Sequence, residues 1–320
     1  MNNQKKFIVS HAPFWHIGSG VAQRNYNTIV AAAPAALMGL AYFGIPALGV
    51  LCLSIASAII WELLFNLAAK RPISVGDGHA ILIGLLLGML LPATAPFWLV
   101  ITGTFLTVVI GKQIFGGTGA NPFSPPVLAC AILMASWKTY FDFDAQLLNY
   151  SFDFAPFYPL VAAKAFGTEA VADISIGDLM VGRQVGGIGA TCGLALILGG
   201  IYLIARGFMR WEIPVAFIAG LFATATCFHV ANPEAYASPM FHLFSGYSLI
   251  GAIFLATDDS ASPVNTVPML IFGVVGGIMT ILIRNIGQYA DGTIFAILLI
   301  NLINPLVDKI RPKALGKVAE

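Results

Sequence analysis

Lys112-Gln113-Ile114-Phe115-Gly116-Gly117-Thr118-Gly119-Ala120-Asn121-Pro122-Phe123-Ser124-Pro125-Pro126 is dense in glycine and proline, yet it lies between two long apolar runs. Glycine permits positive φ and close backbone approach. Proline removes a donor and stops a helix. Backbone this irregular is tolerated at membrane depth only where protein or a watery cavity covers it. The segment therefore lines something inside a membrane protein.

The surrounding composition supports that reading. Of 320 residues, 58% are apolar and 10% charged, against about 25% charged in ordinary soluble domains. Mean hydropathy is +0.86. The chain reads as a polytopic membrane protein. Its net charge of +1 says little about partners, because most of the surface faces lipid, and no nucleic-acid partner is expected. Cys52, Cys130, Cys192 and Cys227 each sit alone in an apolar run. Without CxxC spacing, a zinc site or iron–sulfur cluster held by this chain alone is not expected, and the cysteines read as small hydrophobes. The segment Met1 to His16 has no apolar core of a cleavable signal peptide.

Ten apolar runs qualify as spans or part-spans: about 26–43, 48–69, 80–91, 97–114 and 123–137, then about 187–205, 213–230, 247–257, 267–283 and 293–308. The third and eighth are about eleven residues long, too short to cross alone. They hold the same place in each set of five. Gly84–Gly88 leads to Pro96, an apolar span and the glycine-rich 115–123. Gly251–Leu255 leads to Pro263, an apolar span and 284–295 with Gly287 and Gly292. An odd number of spans per repeat inverts the second repeat and puts short, broken helices of both halves at the midplane. The expected fold class is thus all-α, about ten transmembrane helices in two inverted five-helix repeats. The expected organisation is a cytoplasmic arm at 1–25, a first repeat at 26–137, an extracytoplasmic loop at 138–186, a second repeat at 187–310 and a cytoplasmic tail at 311–320.

Basic residues set the orientation. Lys5, Lys6 and Arg24, then Lys70 and Arg71, Arg206 and Arg210, and Lys309, Arg311, Lys313 and Lys317 all fall on one side if there are ten spans, so both termini are expected in the cytoplasm. The turns at 44–46 and 232–234 carry no basic residue. The loop 138–186 holds Trp137, Tyr140, Phe141, Phe143, Tyr150, Phe152, Phe154, Phe157 and Tyr158 on or beside it. It reads as an interfacial belt, or as a surface for a flat aromatic ligand or a partner subunit.

Ionisable groups at membrane depth are functional candidates by default. Asp77 and His79 open the third span, Asp258 and Asp259 close the eighth, Asp291 opens the tenth and Asp308 closes it. With Lys112 and Arg284 they sit near helix breaks. Asp77, Asp258, Asp291 and Asp308 are candidates for an Na⁺ or H⁺ pathway; the competing reading places them at the water interface or in pairs such as Arg284 with Asp291. Glu62, beside Trp61 near a helix end, reads as interfacial. No GxSxG, HExxH or Walker sequence is present, and Gly182–Gly187 follows no strand, so it is not a Rossmann turn. His229 and His242 flank an outer loop and do not face each other as haem ligands would.

These residues together resemble the RnfD/NqrB family, the large membrane subunits of the Rnf complex and of the Na⁺-translocating NADH:quinone reductase. Gly111–Pro125 is similar to that family's signature GK[QE]xxGGxGxNxFNP, in which Gly116, Gly117, Gly119, Asn121 and Pro122 are the matching positions. Asp77-Gly78-His79-Ala80, Arg210-Trp211-Glu212-Ile213-Pro214, Leu243–Gly246, Ala256-Thr257-Asp258 and Tyr289–Thr293 also resemble it. Length and cytoplasmic-loop pattern are closer to the Rnf member. The resemblance implies covalent FMN on the threonine of an [ST]GAT-type sequence, and the chain departs there. By position that threonine is Tyr158, within Ala155–Leu160. The local GAT is Gly189-Ala190-Thr191, preceded by Ile188. Thr191 is thus a candidate attachment point. Noncovalent FMN or no flavin are the alternatives. Backbone N–H groups of the helix start at Gly186–Gly189, with Gly187 and Gly189, are candidates for the phosphate.

The function implied is that of a membrane subunit in an Rnf-type complex of the inner membrane, coupling ferredoxin/NAD electron transfer to ion translocation together with other subunits. The isolated chain is not expected to be catalytic. The rival is a stand-alone channel or small-solute transporter similar to urea transporters, which share the doubled five-helix scaffold. A subunit that only anchors its partners is a third reading.

Overall fold

The computed structural model describes residues 20–146, 150, 154 and 157–310. Most of the N-terminal arm, the tail 311–320, Phe152, Asp153, Ala155 and Pro156, and the basic residues Lys5, Lys6, Arg311, Lys313 and Lys317 lie outside them. Among the described residues the secondary structure is helical, without strands.

Helix α1 (Val21–Ala68, 48 residues) contains the first two apolar runs. At 1.5 Å per residue it is about twice the length of one membrane crossing. It breaks at Gly44, whose φ of 68° and ψ of −150° only glycine adopts readily, and Pro46 follows. After a short turn at Val75–Asp77 come α2 (His79–Leu90), α3 (Phe97–Phe105), which runs on as a π-helix over Leu106–Gln113, and α4 (Pro125–Ser136). Pro125 and Pro126 begin α4, where a missing N–H costs nothing. The loop 138–186 carries short helices, among them α5 (Phe143–Gln146), α6 (Pro159–Phe166) and α7 (Ile176–Val181). The second half contains α8 (Gly193–Ala205), α9 (Glu212–Ala231), α10 (Pro239–Phe244), α11 (Ser248–Ile250) with a π-helical extension over Gly251–Leu255, α12 (Thr266–Asn285) and α13 (Thr293–Val307). Among the described residues three helices, α1, α9 and α12, are long and apolar enough to cross a membrane, and five more apolar helices are shorter.

Helix α1 packs on α2, α3 and α8; α9 packs on α12, and α4 on α13. The α9–α12 contact is close because it is built on glycine. A Cβ on Gly277 would stand 2.1 Å from the Phe217 carbonyl oxygen, and one on Gly220 2.3 Å from that of Val274. In lipid, where apolar burial drives little association, such backbone approach supplies the packing energy.

The sixth apolar run differs from its expected start. Its helix begins at Gly193 instead of about 187, because residues 186–192 turn inward to cap the end of α2. Ile188 N–H donates to the Leu91 carbonyl (3.1 Å) and Gly189 N–H to that of Met89 (2.9 Å). A Cβ on Gly189 would fall 2.4 Å from the Met89 side chain.

The start of α2 (His79) and the residues just after the α11 extension (Thr257, Asp258) face one cavity; the end of α4 (Met134) and Asp291, two residues before α13, face another. Basic residues gather at the first end. Asn25, next to Arg24, donates to the Asp77 carbonyl (2.9 Å), Tyr202 near the end of α8 donates to Asn27 (2.6 Å), and Arg210 donates to the Val264 carbonyl (3.0 Å).

Candidate functional site

The end that gathers the basic residues holds a cavity of about 460 Å³, named the inner cavity for the orientation that the basic residues predict, with the opposite end as the outer one. Arg24, Asn25, His79, Thr118, Ser124 and Asp258 line it, with Leu86, Ile253 and Phe254 deeper. The glycine-rich stretch 112–126 forms part of its wall. Gly116, Gly117 and Gly119 have φ values of 124°, 107° and 90°, which L side chains rarely adopt. The loop closes on itself through Gly117 N–H to the Lys112 carbonyl (3.2 Å) and Ala120 N–H to that of Gly117 (3.3 Å). This geometry aims Asn121 across the molecule. Its Nδ2 donates to the Phe123 carbonyl (2.9 Å) and to Asp258 Oδ2 (2.9 Å), joining the two halves at residues 137 apart. Asn121 is buried, and its Oδ1 has no partner among the described residues. Pro122 is exposed.

Asp77 lies next to this wall. Its Oδ1 accepts from His79 N–H (2.8 Å), which caps α2, and its Oδ2 accepts from Thr118 (3.3 Å). Arg24 pairs with Asp259 at the cavity rim. Asp308 lies elsewhere on this end; it accepts weakly from Val264 N–H (3.4 Å) and lines neither large cavity.

Beneath the loop is a charge pair that local sequence context does not signal. Glu62, expected at the interface, is 0% exposed, and Lys112 is 1%. Lys112 Nζ donates to both Glu62 oxygens at 2.9 Å, and Ser74 adds a bond of 2.5 Å. The π-helical end of α3 brings Lys112 to this position, as π turns do at many functional sites. The partner is 50 residues away in the chain, so no helical spacing announces it.

The opposite, outer end has a cavity of about 470 Å³ lined by Met134, Lys138, Phe141, Phe143, Tyr158, Lys164, Tyr247, Tyr289 and Asp291, among others. Asp291 is heavily bonded. Its Oδ1 accepts from Arg284 Nε (3.3 Å) and Nη2 (3.0 Å) and from Thr293 N–H (3.0 Å) and hydroxyl (2.7 Å). Its Oδ2 accepts from Tyr247 N–H (2.6 Å) and Tyr158 hydroxyl (3.4 Å). The pairing of Arg284 with Asp291 is thus present. Gly246, at φ 65°, is required here, since a Cβ would lie 2.3 Å from Asp291 Oδ2. Nearby, burial pushes the Asp144 carboxyl above the usual carboxylate range, although Tyr158 N–H donates to it (2.5 Å).

The two flavin candidates fall in different surroundings. Thr191 is 2% exposed, its hydroxyl has no partner among the described residues, and its carbonyl accepts from Gln184 (2.8 Å). It lines neither cavity, nor do Gly187 and Gly189. The N–H groups of Ile188 and Gly189 are already used on α2. Tyr158 faces the outer cavity among aromatic rings, with Phe143 at a centroid distance of 4.9 Å, and with Lys138 and Lys164 at the rim. That space suits a flat, phosphorylated aromatic group.

No residue lines both cavities. Along α4, Cys130 and Leu133 lie between Pro126 at the first cavity and Met134 at the second, and Ile250 lies between Tyr247 and Ile253; all three are fully buried.

The sequence is similar to known proteins over nearly its whole length. The D component of a proton-translocating ferredoxin:NAD(+) oxidoreductase complex from Clostridium ljungdahlii is 33% identical over 310 residues, covering 95% of this chain and 94% of the relative. The D component of an Na(+)-translocating ferredoxin:NAD(+) oxidoreductase complex from Acetobacterium woodii is also 33% identical, covering 96% and 94%. That of an ion-translocating oxidoreductase complex from Cronobacter sakazakii is 32% identical, covering 97% and 99%. The family described as NQR2, RnfD, RnfE matches residues 8–316, and the chain belongs to it.

Proposed function

We propose that this chain is the RnfD-type membrane subunit of an Rnf-type complex that couples ferredoxin/NAD electron transfer to ion translocation. The observation that carries the reading is the Asn121–Asp258 bond (2.9 Å), in which the family's glycine-rich loop meets a carboxylate of the other half at the mouth of an inner cavity. In this reading ten helical segments form two inverted repeats, 26–137 and 187–310, with both termini in the cytoplasm and the complex in the inner membrane. Ions enter at the inner cavity, with Asp258 and Asp77 as the first acidic contacts, and leave on the side of Asp291. The buried apolar layer between the cavities keeps the route closed at rest, which favours gated translocation over an open solute channel.

The flavin reading follows the geometry. FMN would be held noncovalently in the outer cavity, with Phe141, Phe143, Tyr158 and Tyr289 against its rings and Lys138 toward its phosphate. When bound it supplies one- and two-electron transfer. Tyr158 and Tyr247 shape the floor, and their contacts to Asp291 tie that floor to the charge pair behind it. Chain and partner subunits form the catalytic unit together.

The test compares proteoliposomes holding this chain alone with those holding the assembled complex. Ferredoxin-driven ion uptake only in the complex supports the reading, whereas solute or ion flux through the chain alone overturns it. On a denaturing gel, flavin fluorescence that leaves the subunit supports noncovalent FMN; a flavin adduct on Thr191 contradicts it.

A further inference from the structure

Beside the Arg284–Asp291 pair lies a second, smaller outer pocket of about 50 Å³, partly open and lined by α6, residues 235–237, α10 and the end of α12. At roughly 15 Å³ of accessible volume per water, it has room for about three water-sized particles. His242 is 4% exposed and lines it, yet neither ring nitrogen has a partner among the described residues. Asn285 lines it too, and its buried Nδ2 is likewise unpartnered there. Buried polar groups are almost always satisfied, so three orphaned nitrogens around one cavity point to an occupant.

The charges around it select the sign of that occupant. Arg284 is neutralised by Asp291 (3.0 Å). Lys164 donates to the carbonyls of Gly287 (2.5 Å) and Tyr289 (2.9 Å), and no carboxylate stands within ion-pair distance of it among the described residues. His229, on α9, is engaged with the Tyr236 carbonyl (2.8 Å). The pocket therefore has an exposed ammonium without a carboxylate partner at its edge and an excess of N–H donors.

We propose that this pocket binds a small monovalent anion of halide size, held by the N–H groups of His242 and Asn285 beside the Lys164 ammonium. A neutral imidazole donates from one nitrogen only; a water sharing the cavity donates to the other. The anion balances Lys164 and completes the polar shell around the outer loop. The inference stands on this pocket alone and not on the ion route or the flavin.

The test is thermal unfolding of the purified full-length chain in detergent, exchanging sodium gluconate for sodium chloride or bromide at constant Na⁺ and ionic strength. The expected result is a saturable rise in Tm with either halide, because a ligand that binds only the folded state stabilises it by mass action. Asn285→Leu and His242→Phe abolish the rise, and Lys164→Gln weakens the apparent affinity severalfold. If His242→Phe does not fold, Asn285→Leu carries the test. Identical Tm values in gluconate and chloride mean that the pocket holds water only, and overturn the proposal. A halide effect that survives Asn285→Leu places the anion elsewhere and also overturns it.

Discussion

The carboxylates at the two ends of the molecule make an instructive contrast. Asp291, at the outer end, accepts bonds from Arg284, Thr293, Tyr247 and Tyr158 on both of its oxygens. Asp258, at the inner end, is bonded to Asn121 and Ser260 and borders a cavity. A saturated carboxylate is part of the scaffold. One with few fixed donors beside space is able to exchange partners, as a transport site must. The same contrast separates the two buried ion pairs. Arg284 is anchored in addition by the His242 and Ser245 carbonyls, whereas the Lys112 ammonium is held by the Glu62 carboxylate.

The largest effect is expected from Asp291→Asn. It leaves Arg284 buried and uncompensated, which costs about 3–5 kcal/mol. Thermal or detergent-denaturation curves would show a drop of that order, and a near-neutral result would erase the distinction between the two ends. Glu62→Gln strands the Lys112 ammonium in the same way, but the amide oxygen still accepts one bond. A loss of about 2–3 kcal/mol is expected in the same assay. Asp258→Asn removes a charge beside a cavity while an amide remains for Asn121 and Ser260, so its stability cost is expected below about 1 kcal/mol. A loss as large as that of Asp291→Asn would make Asp258 structural.

The smallest effect concerns pH. Burial raises the Asp144 carboxyl in the folded chain, so the folded state holds its proton more tightly than the unfolded state. Stability linked to this group is present below the ordinary carboxylate value and declines as pH rises through the raised folded value. Asp144→Asn should flatten that part of a stability–pH profile, and an unchanged slope would assign it to other groups.

Much of the helical layout is legible in the sequence because its punctuation is local. Pro96 marks the start of α3, Pro125 and Pro126 that of α4, and the Gly44-Ile45-Pro46 turn divides α1. The glycine signature loop is legible for the same reason: only positive φ values explain so many glycines together. The start of α8 is not, because residues 186–189 are apolar in composition but serve as a cap on α2, a contact about a hundred residues distant. The burial of Glu62 is hidden too: its neighbour Trp61 suggests an interface, while Lys112, the residue that makes the burial possible, acts through tertiary packing. The π-helical segments at 106–113 and 251–255 are too short to leave a periodic signal. Thr191 stands out by its GAT sequence, but a motif says nothing of the space around its hydroxyl; Tyr158, found by position, lines the outer cavity.

The most direct test of the account is ferredoxin-driven ion uptake by proteoliposomes containing the assembled complex with wild-type chain or with Asp258→Asn, each checked for equal thermal stability. The account predicts that ion accumulation is lost in the variant while the complex remains assembled and folded. Uptake at the wild-type rate by the variant would contradict it, because the exchangeable carboxylate of the inner cavity would then have no part in moving the ion.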